Sequence, residues 1–185
     1  MNAPTAGRQR TGADDGRQRT GADDGRQRTA PDDGRQRTAA HDGRQRIIVA
    51  GCGAVGLQLA GVLGAAGALV VGLEIDPLRV AWLRRRMDVG SSLRVEAGDA
   101  CTPGALEEAG GLRCDSLVAC TGSDAENLVI CAVAKRHLEV PVVVARVNDH
   151  ENRWMFDARW GVDVAVPLAD ALAAAALGAA PRPAG

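Results

Sequence analysis

Short apolar runs alternate with longer, mixed stretches along residues 46–180 of the chain. Six runs rich in Val, Ile and Leu are predicted strands, and each is followed by a stretch with helical spacing. The predicted strands are Ile47–Ala50, Leu69–Leu73, Leu93–Glu96, Ser116–Cys120, Val142–Ala145 and Val164–Val166. The predicted helices cover about residues 54–66, 77–87, 103–109, 124–138, 149–159 and 168–177. This alternation predicts an α/β fold, with a doubly wound parallel sheet of about six strands in a single domain.

Residues 7–46 contain a nine-residue repeat of a different character. The tetrapeptide GRQR begins at positions 7, 16, 25, 34 and 43, with spacers such as TGADD between the copies. The repeat has no Val, Leu, Ile or aromatic residue, so no copy can bury an apolar face, and we expect residues 1–45 to form a disordered tail. An Arg-rich arm that contacts anionic lipid or nucleic acid is the alternative. The interleaved Asp residues argue against that arm because they cancel most of its charge.

Charge and cysteine content narrow the function classes. The residues after Arg46 carry 12 basic and 16 acidic side chains, so we expect no nucleic-acid partner.

The run 47–73 has only Gln58 as a polar residue and is long enough to span a bilayer. Seven glycines divide it better into strand, turn, helix, turn and strand, so we expect a cytoplasmic protein that does not span a membrane. The five cysteines include no CxxC pair, which predicts reduced, buried thiols and no metal site.

The segment GCGAVG, from Gly51 to Gly56, follows the first predicted strand and opens the first predicted helix. In a Rossmann-like fold the first glycine permits a tight turn, the second lets a pyrophosphate approach, and the third lets the helix pack closely. Glu74 ends the second strand, where a carboxylate accepts hydrogen bonds from ribose hydroxyls and disfavours a 2′-phosphate. This context predicts a cofactor site for NAD(H) rather than NADP. Glycines that serve packing alone are the alternative.

Further polar residues follow the other strands at the same predicted edge of the sheet. Asp76 is either a helix cap or a ligand contact, and the same two possibilities hold for Ser123 and Asp124. Arg146 either pairs with a phosphate or forms a salt bridge to Asp124 or Asp149. The complete predicted cofactor site comprises Gly51, Cys52, Gly53, Ala54, Val55, Gly56, Glu74, Ile75, Asp76, Gly98, Asp99, Ala100, Thr121, Gly122, Ser123, Asn127 and Arg146.

The sequence offers no recognisable catalytic constellation, so we expect no catalytic residues. The absence of Tyr excludes a Tyr–Lys acid–base pair, and no second domain is available to bring a substrate to a nicotinamide. An S-adenosylmethionine-dependent methyltransferase, a small NAD-dependent oxidoreductase and a scaffold that binds no ligand are the alternatives. The aromatic residues of the predicted helices belong either to the core or to a subunit interface; they are Trp82, Trp154, Phe156 and Trp160.

Six segments together resemble the TrkA-N domain, also called the RCK N-terminal or KTN domain. They are IIVAGCGAVGLQLA, LEID, EAGDA, LVACTGSDAENL, VVVARVND and GVDVAVP, spread over residues 46–178. The resemblance implies a cytosolic regulatory subunit of a Trk/Ktr-type potassium uptake system that binds NAD(H), ATP or ADP. It implies a homodimer or ring, peripherally associated with the membrane through a TrkH- or KtrB-like transporter subunit.

The resemblance also implies roles for individual residues. The three loop glycines would hold the pyrophosphate, Glu74 would bind the adenosine ribose, and Asp99 would lie near the adenine. The remainder of the pocket would be lined by Thr121, Gly122 and Arg146. Members that favour ATP often carry Arg inside the glycine loop, where this chain has Ala54, so NAD(H) is favoured over ATP or ADP. We expect no C-terminal RCK_C domain, since the chain ends shortly after the sixth strand and one helix.

Overall fold

Six parallel strands form one sheet in the computed structural model, which describes residues 43–86 and 92–178. The strands are β1 (Arg46–Ala50), β2 (Leu69–Glu74), β3 (Leu93–Ala97), β4 (Ser116–Ala119), β5 (Val142–Val147) and β6 (Val164–Pro167). Their spatial order is β3-β2-β1-β4-β5-β6, and each neighbouring pair is parallel. The order reverses between β1 and β4, which is where a doubly wound sheet opens a ligand crevice. The predicted Rossmann-like fold is confirmed, and every predicted strand lies within two residues of its observed bounds.

The described residues contain five α-helices, of which the first four connect successive strands from β1 to β5 and the fifth follows β6. They are α1 (Ala54–Ala65), α2 (Pro77–Arg84), α3 (Pro103–Glu108), α4 (Asp124–Arg136) and α5 (Leu168–Ala176). None of the helices in residues 43–86 and 92–178 is both long enough and apolar enough to cross a membrane. The predicted disordered tail lies outside the described residues, apart from residues 43–45. Of these, Arg44 donates a hydrogen bond to the Gly67 carbonyl, and Gln45 accepts one from the Leu69 amide.

The predicted helix over residues 149–159 is wrong. Two short 3₁₀ segments take its place, His150–Met155 and Ala158–Trp160. The carboxylates of Asp149 and Asp157 each accept a hydrogen bond from the backbone amide two residues further on, at 3.0 and 2.9 Å. Such local bonds compete with helical hydrogen bonding, and 3₁₀ segments are characteristically short.

Apolar side chains fill both faces of the sheet, as expected for strands that are buried on both sides. On one face, α3 and α4 cover a cluster that includes Ile48, Leu117 and Val143. On the opposite face, α1 covers a cluster around Val49 and Val70. Of the four predicted aromatic positions only one lies in the core: Phe156 is 6% exposed, whereas Trp82, Trp154 and Trp160 are 50%, 72% and 44% exposed.

Helix α1 packs against the end of β1 with no room for a side chain at the contact. A Cβ atom on Gly56 would lie 1.9 Å from the carbonyl oxygen of Gly51. This approach brings the first turn of α1 directly over the loop that follows β1. The third glycine therefore has the packing role that its position predicts.

The first turn of α4 fastens the ends of β4 and β5 to each other. Asn127 is the one fully buried polar side chain among the described residues. Its Oδ1 accepts hydrogen bonds from the backbone amide and the hydroxyl of Thr121, both at 2.9 Å, and its Nδ2 donates to the Arg146 carbonyl at 3.0 Å. Buried amide groups that satisfy both donor and acceptor in this way fix the relative position of the segments that they join.

The carboxylate of Asp124, in the same turn of α4, holds the segment that follows β5. It accepts hydrogen bonds from the Asn148 amide at 2.7 Å, the Asp149 amide at 3.0 Å and the Asn152 side chain at 2.8 Å. Partial burial raises the pKa of Asp124, but these hydrogen bonds outweigh it and hold the pKa below its ordinary value. The folded state therefore favours the ionised carboxylate.

The close contact at Gly56 predicts opposite effects of the same substitution at two positions of α1. Gly56→Ala should lower the free energy of unfolding by at least about 2 kcal/mol, because the new methyl group meets backbone. Gly61→Ala is the matched control, since a Cβ there has no neighbour within 4 Å. It should raise stability by about 0.5–1 kcal/mol through helix propensity. Urea unfolding measures both changes, and equal effects of the two substitutions would contradict the packing argument.

The lowered pKa of Asp124 predicts a stability contribution that depends on pH. The contribution is present above the ordinary carboxyl pKa and is lost as the pH falls through the lowered pKa of the folded state. Asp124→Asn should therefore destabilise the protein at pH 7, and the difference from the unsubstituted protein should shrink on acidification towards pH 3. Urea unfolding across this range tests it. Asp170→Asn serves as the control, at a carboxylate whose ion-pair partner, Arg153, lies 4.0 Å away. If the loss of unfolding free energy in Asp124→Asn did not change with pH, the prediction would be contradicted.

Candidate functional site

The carboxyl ends of the strands surround a crevice of about 530 Å³ at the switch point between β1 and β4. This volume lies within the usual range for small-molecule sites. Eleven of the predicted site residues line it: Gly51, Gly53, Glu74, Ile75, Asp76, Gly98, Asp99, Ala100, Thr121, Gly122 and Arg146. Six further residues that the sequence reasoning missed also line it: Leu73, Arg79, Cys101, Cys120, Glu126 and Ile130.

The other six predicted residues support the crevice without lining it. They are Cys52, Ala54, Val55, Gly56, Ser123 and Asn127. Ala54 and Val55 begin α1, and Gly56 provides its close contact with the loop. The Ser123 side chain accepts a hydrogen bond from the Glu126 amide at 3.3 Å, as the N-cap of α4. These residues lie behind the lining residues and support the walls of the crevice.

The glycine loop presents the open end of α1 to the crevice. Gly51 has φ +97°, a conformation that favours glycine, and its amide donates to the Leu73 carbonyl at 2.8 Å. Gly53 is the N-cap of α1, with no side-chain cap and with open space where a Cβ would lie. The first amides of a helix have no intrahelical partner and carry a partial positive charge. This end of the loop is therefore built to accept an anion such as a phosphate.

Glu74 holds the middle of the glycine loop in place while it lines the crevice. Its carboxylate accepts hydrogen bonds from the amides of Cys52 and Asp76, both at 3.2 Å, and its side chain is only 11% exposed. Arg79 completes the arrangement, because its Nε donates to the Cys52 carbonyl at 3.0 Å and lies 3.7 Å from the Glu74 carboxylate. A basic residue in the first turn of the helix after Glu74 is the sequence signal that could have identified Arg79.

Burial raises the pKa of the thiols that line the crevice, and of Cys52 behind it, above the ordinary cysteine value. Burial, with the nearby carboxylate of Glu74, raises the pKa of Cys52 to about 12. Burial, followed by Asp99 and Glu126, raises the pKa of Cys101 to about 11. Since the thiolate is the nucleophilic form, neither thiol is activated. The prediction of buried thiols is confirmed for four of the five cysteines, and Cys101 is partly exposed.

Three of the four acidic side chains that line the crevice lie at the ends of β2 and β3, and the fourth, Glu126, lies in the first turn of α4. The Asp76 carboxylate accepts a hydrogen bond from the Leu78 amide at 2.9 Å, so the capping interpretation of this residue holds. Asp99 accepts one from the Cys101 amide at 2.9 Å, which orders the turn after β3. Together with Glu74, these residues place three carboxylates around one end of the crevice.

Arg146 supplies positive charge at the other end of the crevice, beside β4 and β5. Its Nε is buried and has no hydrogen-bond partner among the residues that the structure describes. The alternative of a salt bridge to Asp124 or Asp149 does not hold among the described residues: Asp124 accepts hydrogen bonds from the segment after β5, and Asp149 caps the amide of Glu151 and lies 3.9 Å from His150. The guanidinium adjoins the thiol of Cys120, whose pKa burial raises despite the opposing effect of Arg146. A protonated thiol cannot neutralise this cation.

Comparison with known proteins identifies the family. The model of the TrkA-N domain matches residues 47–167. The Trk system potassium uptake protein TrkA of Mycobacterium tuberculosis is 38% identical over 122 residues, which are 65% of this chain and 52% of the relative. This chain therefore spans about half the length of that relative.

Solved structures show the same fold. The TrkA-N domain of the inner membrane protein ybaL from Escherichia coli is 21% identical with a TM-score of 0.64, covering 73% of this chain and 96% of that one. The GsuK channel bound to NAD is 19% identical with a TM-score of 0.58, covering 70% and 22%. Since the family model covers more than half of the 185 residues, the chain belongs to the TrkA-N domain family.

Proposed function

We propose that this protein is a nucleotide-binding regulatory subunit of a potassium uptake system, and that its effector is NAD(H). The observation that carries the proposal is the guanidinium of Arg146, partly withdrawn from water without a carboxylate partner among the described residues. A buried cation is costly unless it is paired, and a phosphate is its natural bidentate partner. The N-terminus of α1, which has no side-chain cap, lies at the same crevice and favours the same ligand chemistry.

The distribution of charge in the crevice supports one orientation for a dinucleotide. The pyrophosphate would lie between the first amides of α1 and Arg146. The adenosine ribose would donate hydrogen bonds to Glu74, whose carboxylate retains acceptor capacity beyond its two backbone partners. The adenine would lie near Asp99 and Ala100, at the end of β3. Each of these residues lines the crevice.

The same charges favour NAD(H) over the nucleotides that resemble it. A 2′-phosphate would approach the three carboxylates of Glu74, Asp76 and Asp99, whose negative charge the single guanidinium of Arg79 does not balance. A triphosphate adds negative charge without a matching arginine, because the glycine loop carries Ala54. ADP shares the adenosine and the two phosphates of NAD(H) and is the second candidate effector.

The proposed role is regulatory, with binding in the crevice as its chemical event. Potassium uptake is the function named for the Mycobacterium tuberculosis relative, so the proposed partner is a TrkH- or KtrB-like transporter subunit. The protein would act in the cytoplasm as a homodimer or ring at the inner surface of the membrane. Ligand exchange needs a coupling free energy of only about 1–3 kcal/mol to regulate such a partner.

Discrimination between NADH and NADPH tests the position of the ribose. The full chain should bind NADH more tightly than NADPH in calorimetric titrations, because Glu74 repels the 2′-phosphate. Glu74→Gln should weaken NADH binding by about tenfold and reduce the preference over NADPH. The ratio of the two affinities does not depend on the fraction of folded protein. Glu96→Gln is the matched control, since this carboxylate pairs with Arg84 and Arg94 outside the crevice; an unchanged ratio in Glu74→Gln would refute the placement.

Removal of the guanidinium at position 146 tests the phosphate site. Arg146→Gln should weaken the binding of NADH and ADP by a similar factor, about tenfold or more, because both ligands lose the same charge-assisted contact. Arg146→Lys should restore part of the affinity. Arg153→Gln, at an arginine outside the crevice, is the control and should leave both affinities unchanged. Turnover of NADH, or binding of S-adenosylmethionine alone, would overturn the regulatory proposal in favour of an enzyme.

A further inference from the structure

A second cleft of about 480 Å³ lies at the amino ends of the strands, away from the nucleotide crevice. Ile48, Leu69 and Val71 form its apolar floor. Because side chains alternate along each strand, these three lie on the face of the sheet that α3 and α4 cover. Ile48 and Val71 belong to the apolar cluster of that face, and Leu69 shares a side of β2 with Val71. Leu69 and Val71 are only half-buried, although β2 is an interior strand of the sheet. Interior parallel strands are ordinarily covered on both faces, so residues 43–86 and 92–178 leave part of this floor uncovered.

Arginines surround this floor on three sides. Arg46 lies opposite Leu69 on β1, and Arg94 lies opposite Val71 on β3. Two strand spacings separate them, about 10 Å, so their long side chains flank the floor. Arg113 contributes the third guanidinium, from the segment between α3 and β4. No carboxylate lines the cleft among the residues that the structure describes.

Two acidic side chains beside the cleft, Glu96 and Asp115, have partners other than the guanidinium groups of Arg46 and Arg113. Glu96 pairs with both Arg84 and Arg94, at 3.2 and 2.9 Å. Asp115 accepts a hydrogen bond from the backbone amide of Arg46 at 2.8 Å. The side chains of Arg46 and Arg113 form no ion pair with any described residue. The cleft therefore combines an apolar floor with two unpaired guanidinium groups.

The wall that carries Arg113 is held in a defined conformation. Gly110 adopts φ +94°, and a Cβ on Gly111 would lie 2.7 Å from the Leu106 carbonyl. The Cys114 thiol donates to the Gly111 carbonyl at 3.3 Å. A wall that is tightly packed before a ligand arrives gives a largely formed site, as small-molecule pockets usually are.

We propose that this cleft is a second binding site, and that its ligand is a small organic anion with an apolar body. The apolar part would cover Leu69 and Val71, and the anionic group would pair with Arg46 and Arg113. The volume matches a small molecule, and the guanidinium groups of Arg46 and Arg113 favour a ligand with negative charge. This site is separate from the nucleotide crevice and does not depend on the function proposed for it.

The test uses the full chain and two fluorescent probes of similar shape. One is the anion 8-anilinonaphthalene-1-sulfonate, and the other is the neutral N-phenyl-1-naphthylamine. The sulfonate should bind the unsubstituted protein and lose about tenfold in affinity in Arg46→Gln/Arg113→Gln, whereas the neutral probe should bind both proteins alike. The control is Arg85→Gln/Arg153→Gln, which removes the same charge elsewhere and should change the sulfonate affinity by less than about twofold.

Three outcomes would overturn the proposal. The first is equal loss of sulfonate affinity in the two double variants, which would reflect net charge alone. The second is displacement of the sulfonate by saturating NADH, which would assign its binding to the crevice. The third is no sulfonate binding to the unsubstituted protein. Far-ultraviolet circular dichroism and thermal unfolding show that the variants are folded, so loss of affinity is attributable to the arginines.

Discussion

The buried amide of Asn127 is the contact on which the geometry of the nucleotide crevice depends. A parallel sheet brings the carboxyl ends of β1, β4 and β5 to one edge, but it does not determine how the loops beyond those ends lie. Asn127 decides this by bonding to Thr121 after β4 and to the carbonyl of Arg146 at the end of β5. Its polar groups are satisfied by these two residues, so no alternative loop arrangement can bury it at the same free energy. The loops after β4 and β5 therefore hold a fixed position opposite the glycine loop, which follows β1.

The fixed position of its backbone limits which groups the guanidinium of Arg146 can reach. Its backbone is tied down by Asn127, and the carboxylate of Asp124 is already saturated by the segment after β5. The guanidinium cannot reach an internal counterion without breaking one of these contacts. A protein that leaves a cation in this condition forgoes stability in the free state and recovers it when an anion binds. This is the physical reason to regard the crevice as a binding site rather than a packing defect.

Much of this arrangement was predictable from the sequence, and the remainder was not, for identifiable reasons. Apolar periodicity gave all six strands, and the spacing from Gly51 to Glu74 placed the loop and the carboxylate at one edge. The prediction failed at residues 149–159, where Asp149 and Asp157 bond locally and interrupt the helix. The sequence left Arg146 between a phosphate and a salt bridge, because the bonds that occupy Asp124 join residues 24 or more positions apart. Contacts between residues so far apart in the chain leave no signal in the local sequence pattern.

Charge is divided along the crevice, and the division bears on what the site can recognise. Three carboxylates and Arg79 line the crevice beside β2 and β3, Arg146 and Glu126 line it beside β4 and β5, and the glycine loop after β1 lies between them. A ligand with hydroxyls at one end and phosphates at the other matches this division in only one orientation, since reversal would place phosphates among carboxylates. Glu74 adds a further constraint on the ligand, because the carboxylate that would accept hydrogen bonds from the ribose also accepts one from the Cys52 amide. The glycine loop and the proposed ribose site would therefore share Glu74 as an anchor, and the geometry of the proposed phosphate site would depend on the same residue.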